Sequence, residues 1–313
     1  MSGWAIFGIV IGGVILLTFI TYFFIGLFFY GISVNRIALV GGIVDTVLKK
    51  RIKEYKINRK WWDRQKFEEI KISSGKEKLV GYLITSKKPS KKVAILVHGY
   101  YVTHKDLNCQ AEIFLEQGFN IFAPDLRAHG KSSGKTITMG AYDKDDIILW
   151  INKMIEMFGK NCEIVLFGIS MGGATVCLVS GEKIPKNVKC VISDCAYDSL
   201  EDQFRFVLKE KIKLPEFPVM KIASRFIKML GKYEVKDVRP RYAVTKSKIP
   251  ILFIHGIIDE FVPSYMAHNL YSASNKKKCE IYLVEGAKHG MCYATDSDEY
   301  KKRMLDFVNK HIN

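Results

Sequence analysis

The sequence predicts an α/β fold: a mostly parallel eight-stranded sheet flanked by helices, with a helical cap insertion and one N-terminal transmembrane helix. Three observations lead there. Short β-branched runs alternate with longer helical patterns from Lys66 onward, one long interval breaks that alternation, and the first 35 residues carry no charged side chain. Alternating strands and helices imply βαβ units and a sheet covered on both faces. The chain has 313 residues, 48% of them hydrophobic, which is enough for one full core and an appendage.

The N-terminal run, residues 4–32, reads WAIFGIVIGGVILLTFITYFFIGLFFYGI. It exceeds the roughly 20 apolar residues needed to cross a bilayer. Tyr22, Phe23, Phe24, Phe28, Phe29 and Tyr30 crowd its C-terminal end, as where a helix meets headgroups. A cleavable signal peptide would need a basic start, a shorter apolar run and a small-residue cleavage site, and none is visible. Residues 1–35 are therefore read as an uncleaved, single-pass anchor. Arg36, Lys49, Lys50, Arg51, Lys53, Lys56, Arg59 and Lys60 follow it, with only the amino terminus before it. That asymmetry places the rest of the chain in the cytoplasm. Gly8 and Gly12 form one GxxxG, so a weak homodimer through this helix stays open. Residues 36–65 read as a basic amphipathic linker. Ile37, Val40, Val44 and Leu48 fit one helix face, and the lysines after them suit acidic headgroups, although a solvated linker helix fits equally.

Residues 66–313 form the predicted globular domain. FEEIKIS, LVGYLIT, KVAILVH, NIFAPD, EIVLFG, KCVISD, PILFIHG and CEIYLVE read as strands, and helices are expected near 106–117, 142–158, 171–183, 263–274 and 298–311. The first two strands adjoin without room for a helix, so they should form a hairpin. From 197 to 249 no strand occurs, while LEDQFRFVLKEKI and FPVMKIASRFIKML are amphipathic. An insertion of that size between sheet strands reads as a helical cap, covering the strand ends where open α/β sheets bind ligands.

The chemistry sits at EIVLFGISMGGATV, where Gly168-Ile169-Ser170-Met171-Gly172 fits G-x-S-x-G after a strand and before a helix. That is the context of a nucleophile elbow: the turn is tight, glycines relieve its clashes, and the hydroxyl stands exposed at a helix N-terminus. A serine hydroxyl needs a base oriented by an acid. In the order serine, acid, histidine, HGIIDEFVP offers Asp259 and GAKHG offers His289, both after strands. The oxyanion donors are expected at the N–H of Met171 and, on the loop VHGYYVTHKD, the N–H of Tyr100. His98 reads as a structural residue of that loop. Asp125 and Arg127 read as a loop-fixing pair, Asp194 is an alternative acid, and Cys195 lacks an assisting base.

With 48 Lys and Arg against 32 Asp and Glu, the net charge is +16. No recognition-helix, zinc-finger or RNA-binding aromatic pattern points to nucleic acid, so a bilayer is the expected partner of that charge. The seven cysteines are odd in number and lack framework spacing, which suits buried thiols of a reducing compartment. No metal-ligand spacing and no phosphate loop appears, and no cofactor is implied.

HGYY, DLRAHGKSSG, GISMGG, HGIIDEFVP and GAKHG, in this order, resemble the α/β-hydrolase superfamily over about four-fifths of the chain. SDCAYDSLEDQFRFVLK makes the chain similar to its serine aminopeptidase-like bacterial branch, many of whose members carry one N-terminal membrane helix. The resemblance implies nucleophile Ser170, acid Asp259, base His289 and oxyanion donors Tyr100 and Met171. Its "cell-surface" label conflicts with the orientation read from charge. The expected function is a membrane-anchored serine hydrolase acting on a small-molecule or lipid-like acyl substrate, through ester or thioester cleavage. An aminopeptidase-like amide hydrolase and a non-catalytic membrane scaffold are the alternatives.

Overall fold

The computed structural model describes residues 1–36 and 59–312. Eight strands, β1 (Glu68–Ser74), β2 (Glu77–Ile84), β3 (Lys92–Val97), β4 (Asn120–Asp125), β5 (Glu163–Ile169), β6 (Val188–Asp194), β7 (Ile251–Gly256) and β8 (Glu280–Val284), form one sheet. Their order is β1-β2-β4-β3-β5-β6-β7-β8. β1 and β2 make the expected hairpin, β2 also runs antiparallel to β4, and the remaining pairs are parallel. β4 lies on one side of β3 and β5 on the other, so the strand order reverses at β3. Connections leaving the C-terminal ends of β3 and β5 diverge there, which opens a crevice.

Among the described residues, the α-helices of seven residues or more are α1 (Gly3–Val34), α2 (Asn108–Glu116), α3 (Asp143–Phe158), α4 (Met171–Ser180), α5 (Leu200–Phe206), α6 (Glu216–Phe226), α7 (Pro240–Lys246), α8 (Tyr265–Ala273) and α9 (Ser297–Asn309). Strand side chains alternate between faces, and β3 shows it. Val93, Ile95 and Val97 pack with Trp150 of α3 and Met266 of α8, whereas Ala94 and Leu96 pack with Phe114 of α2 and Phe307 of α9. Both faces are thus covered, as the continuous apolar strands require.

Between β6 and β7, α5 runs on into a π-helical stretch Val207–Ile212, and α6 into another, Ile227–Gly231. α7 belongs to the body rather than to the cap: a Cβ on Gly181 would lie 2.5 Å from the Ala243 carbonyl, so α7 meets the end of α4 backbone to backbone. Most of the expected linker, 37–58, lies outside the described residues. Its last part, the 3-10 turn Arg59–Arg64, joins the body, with Trp62 buried edge-on to the His104 ring at 5.2 Å. The packed body therefore begins before Lys66, because two indoles gain more from the core than from water.

α1 is exposed from its start to residue 21. Beyond that point it departs from a simple anchor. Phe29 packs in one cluster with Leu208, Val219 and Ala223 of the cap, and Tyr30 joins the main core, so these aromatics are covered by protein rather than by headgroups.

Candidate active site

β5 ends at Ile169 and α4 starts at Met171, so the turn between them is Ser170 alone. It adopts φ 56° and ψ −118°, a conformation that non-glycine residues hold only where their surroundings impose it. Close backbone packing imposes it here. A Cβ on Gly168 would lie 2.2 Å from the Gly172 carbonyl oxygen, and one on Gly172 would lie 2.1 Å from that of Val97. Glycine at both positions lets strand, turn and helix approach. The Ser170 N–H is tied to the Asp194 carbonyl at 2.8 Å, and its side chain stands half-buried above the sheet.

The loops after β7 and β8 bring the partners. Ser170 Oγ lies 2.8 Å from His289 Nε2, and His289 Nδ1 lies 2.6 Å from Asp259 Oδ2. A carboxylate only accepts, so Nδ1 carries the ring proton and Nε2 accepts from the serine hydroxyl. Asp259 Oδ1 accepts the N–H groups of Phe261 and Val262, both at 2.8 Å, which fixes its plane. His255 lies beneath, with Nε2 2.8 Å from the Val262 carbonyl and 3.3 Å from Asp259 Oδ2. Burial works to raise the Asp259 carboxyl, but the His289 imidazole and the hydrogen bonds from His255 and His289 outweigh it and hold the acid well below the usual carboxylate range. Gly256 makes the assembly possible: a Cβ there would lie 2.2 Å from the Ala287 carbonyl, so the acid loop and the histidine loop touch through backbone.

The loop after β3 closes the other side. A Cβ on Gly99 would lie 3.3 Å from Ser170 Cβ, which places His98-Gly99-Tyr100 against the serine. The N–H groups of Tyr100 and Met171 make no hydrogen bond among the described residues; Met171 directly follows the serine, and Tyr100 directly follows Gly99. Two neutral imidazoles hold this loop. His98 Nε2 accepts the Leu126 N–H at 2.9 Å, and Nδ1 donates to the Gly99 carbonyl at 2.7 Å. His129 Nε2 accepts the Tyr101 N–H at 3.2 Å, and Nδ1 donates to the Arg127 carbonyl at 3.0 Å. Burial pushes both imidazoles down, His129 to about 3, so neither charges near neutrality. His98 is structural, as its sequence position suggested.

The other expectations divide. Asp194, the alternative acid, accepts the Tyr300 hydroxyl at 2.9 Å and none of the described hydrogen bonds joins it to His289. Burial raises its carboxyl to about 6. Asp125 and Arg127 do not pair. Side chains two apart leave an extended segment on the same side but here the chain turns between them. Asp125 turns inward to His104 Nδ1 at 2.8 Å, while Arg127 grips Asp146 with Nε at 2.7 Å and Nη2 at 2.6 Å. Cys195 lies close enough to Asp259 and His289 for the three to resemble a metal cluster, with ligand atoms within 4.8 Å of one another. Both nitrogens of His289 are already engaged, however, and burial pushes the Cys195 thiol far up, which disfavours the thiolate a metal would need.

Two contributors carry little or no local sequence signal. One is His255; its only hint is a histidine inside an otherwise apolar strand, four residues before Asp259. The other is Gln203 of α5, whose Nε2 donates to the Phe261 carbonyl at 2.8 Å and so ties the cap to the acid loop. Phe261 in turn lies against the His289 ring, centroids 5.2 Å apart.

Comparison with known proteins bears on the fold that carries these residues. A family model described as the alpha/beta hydrolase fold matches residues 93–218, from β3 into the cap. The uncharacterized protein YqkD of Bacillus subtilis is 31% identical over 221 residues, 69% of this chain and 70% of that protein. Among solved structures, the esterase Pf2001 of Pyrococcus furiosus is similar with a TM-score of 0.64 at 23% identity, over 84% of this chain and 96% of its own. The acylaminoacyl peptidase of Pyrococcus horikoshii gives a TM-score of 0.58 at 17% identity, over 80% of this chain and 43% of its own. At those identities the likeness shows the fold alone. The sheet order, the elbow and the relatives together make the chain a hydrolase that belongs to the α/β-hydrolase superfamily.

Proposed function

We propose that the protein is a membrane-anchored serine hydrolase that cleaves carboxylic ester or thioester bonds through an acyl-enzyme. The observation that carries this reading is the unbroken relay from Ser170 Oγ to His289 Nε2 at 2.8 Å and from His289 Nδ1 to Asp259 Oδ2 at 2.6 Å. Ser170 Oγ attacks the carbonyl carbon as its proton passes to His289 Nε2, and Asp259 stabilises the imidazolium that forms. The N–H groups of Met171 and Tyr100 receive the negative oxygen. His289 then returns the proton to the leaving alcohol or thiol, and afterwards deprotonates the water that releases the acid. Asp259 stays ionised across any practical assay range, since its partners hold its pKa down.

The anchor part rests on α1. Its first 20 residues span about 30 Å at 1.5 Å per residue, the thickness of a bilayer's hydrocarbon. The cap packs on α1 directly beyond that stretch, with the Phe226 ring 6.0 Å from that of Tyr22 and 5.7 Å from that of Phe23. The cap thus lies near headgroup level, which favours acyl substrates drawn from lipid. The basic residues after the helix favour a cytoplasmic body.

Ester cleavage is preferred to aminopeptidase action because of the cap carboxylates. Glu201 and Glu216 pair with Arg205 at 2.8 and 2.7 Å, Glu234 with Lys228 at 2.6 Å, and Glu210 with Lys213 at 3.4 Å. Those four acids are matched by cap cations rather than kept for a substrate amine. A scaffold without catalysis has no need of the intact relay. The test is Ser170→Ala in the full-length protein: it should abolish hydrolysis of p-nitrophenyl butyrate and labelling by a fluorophosphonate, with the melting temperature unchanged. Full activity in that variant overturns the assignment. A membrane-impermeant fluorophosphonate applied to intact and permeabilised cells reads the sidedness, and labelling only after permeabilisation is expected.

A further inference from the structure

The last carbonyls of an α-helix have no partners within it. In α1 they are met by the hydrolase body. The Tyr100 hydroxyl donates to the Ser33 carbonyl at 2.7 Å and reaches that of Ile32 at 3.2 Å. The Ile137 N–H donates to the Val34 carbonyl at 2.7 Å, and the Tyr101 hydroxyl donates to that of Asn35. Arg36 follows, and its guanidinium donates to the carbonyls of Ser132 at 2.8 Å and Gly130 at 2.6 Å. Upstream, Gly26 admits the Phe226 ring so closely that a Cβ there would lie 2.2 Å from it. This end of the helix is seated in the globule, while residues 1–21 stand clear of it.

Tyr100 is held at both ends. Its backbone follows Gly99, which packs against Ser170, and its hydroxyl is fastened to the final turn of α1. The neighbouring Tyr101 holds a left-handed φ of 55°, so this stretch is a strained loop that outside contacts keep in place. We propose that the last turn of α1 is a positioning element of the active site: through the Tyr100 hydroxyl it sets the Tyr100 N–H at the oxyanion position, so that catalysis depends on how the membrane helix is seated. The inference rests on the serine-hydrolase reading above and adds to it a coupling between anchor and chemistry. Tyr100 is thereby a positioning residue through its side chain, in addition to its backbone role.

Loss of one oxyanion donor typically costs about 100- to 1,000-fold in kcat. A donor still present but loosened should cost less, about 10-fold, and should leave KM alone because the contact matters in the transition state. The experiment uses the full-length protein reconstituted in phospholipid vesicles, with p-nitrophenyl butyrate as substrate. Tyr100→Phe removes only the hydroxyl and is expected to lower kcat about 10-fold with KM within about twofold, the melting temperature reporting that the fold survives. Gly26→Leu pushes the helix off Phe226 by a separate route and should give a similar loss. If both act through the seating of α1, the double variant loses little more than either single one. A wild-type kcat in Tyr100→Phe, a loss confined to KM, or fully additive losses overturns the proposal. An active Ser170→Ala would instead sink the underlying reading, so the two failures are distinguishable.

Discussion

Asp259→Asn keeps the size of the side chain and removes one property, the capacity of both its oxygens to accept. In the native loop Oδ1 takes two N–H groups, from Phe261 and Val262, and Oδ2 takes the His289 Nδ1–H at 2.6 Å. Asparagine can serve only one of those sides. If its oxygen faces the two amides, its NH2 meets His289 Nδ1, which must then become an acceptor. The ring proton moves to Nε2, where it faces Ser170 Oγ and can no longer receive a proton from it. If the amide flips, its NH2 opposes two N–H donors in a buried site, which costs stability instead. A histidine held in the wrong tautomer loses about 10⁴-fold in kcat, equivalent to about 5 kcal/mol of barrier. Steady-state hydrolysis of p-nitrophenyl butyrate by the full-length variant measures that loss, and a thermal melt separates the two amide orientations. A kcat within tenfold of wild type would refute the reasoning. The acid would then have to be sought elsewhere, first at Asp194.

Two further outcomes test the frame around the site. Arg127 holds Asp146, a side chain only 1% exposed, with two charge-assisted hydrogen bonds, so Arg127→Ala should destabilise the fold by about 3–5 kcal/mol in urea unfolding; a loss under about 1 kcal/mol would mean that the carboxylate is not stranded. Asp194 is buried with its carboxyl raised to about 6 from 3.8, so the folded state holds a proton that the unfolded chain releases. Its stabilising contribution is present below the unfolded value and is lost as pH rises towards 6, levelling off above it. Asp194→Asn should therefore raise the melting temperature at pH 7.5 more than at pH 4.5, the difference amounting to about 2 kcal/mol at most. An equal effect at both pH values would show that the group does not titrate between them.

Much of this site was legible because its signals are local. An apolar strand stopping at Gly168, a serine two residues on and small residues after it specify the elbow within five positions, and backbone sterics leave few other ways to make that turn. Asp259 and His289 could be chosen by order alone, since each follows a strand whose C-terminal end must face the crevice. The supporting residues were not legible in the same way. Arg127 looked like the partner of Asp125 because they are neighbours in sequence, yet the chain turns between them and each finds a carboxylate or imidazole from another element. Gln203 meets the Phe261 carbonyl across 58 residues of chain, and no periodicity records such a meeting. The aromatics at the end of α1 matched a headgroup boundary equally well whether lipid or protein covered them.

By itself, then, the sequence determined the alternation that builds the sheet, the strained serine turn, the order of its partners and an apolar helix long enough to span a bilayer. Each of these is written in residues a few positions apart, where period, glycine placement and charge act directly on the backbone. Only the tertiary structure decided that the helix end is seated against the cap, that carbonyls at and just past that end are met by Tyr100 and Tyr101, and that His255 lies under the acid. Those contacts join residues tens to hundreds of positions apart, and they exist only once burial of the two apolar faces of the sheet has brought the loops together.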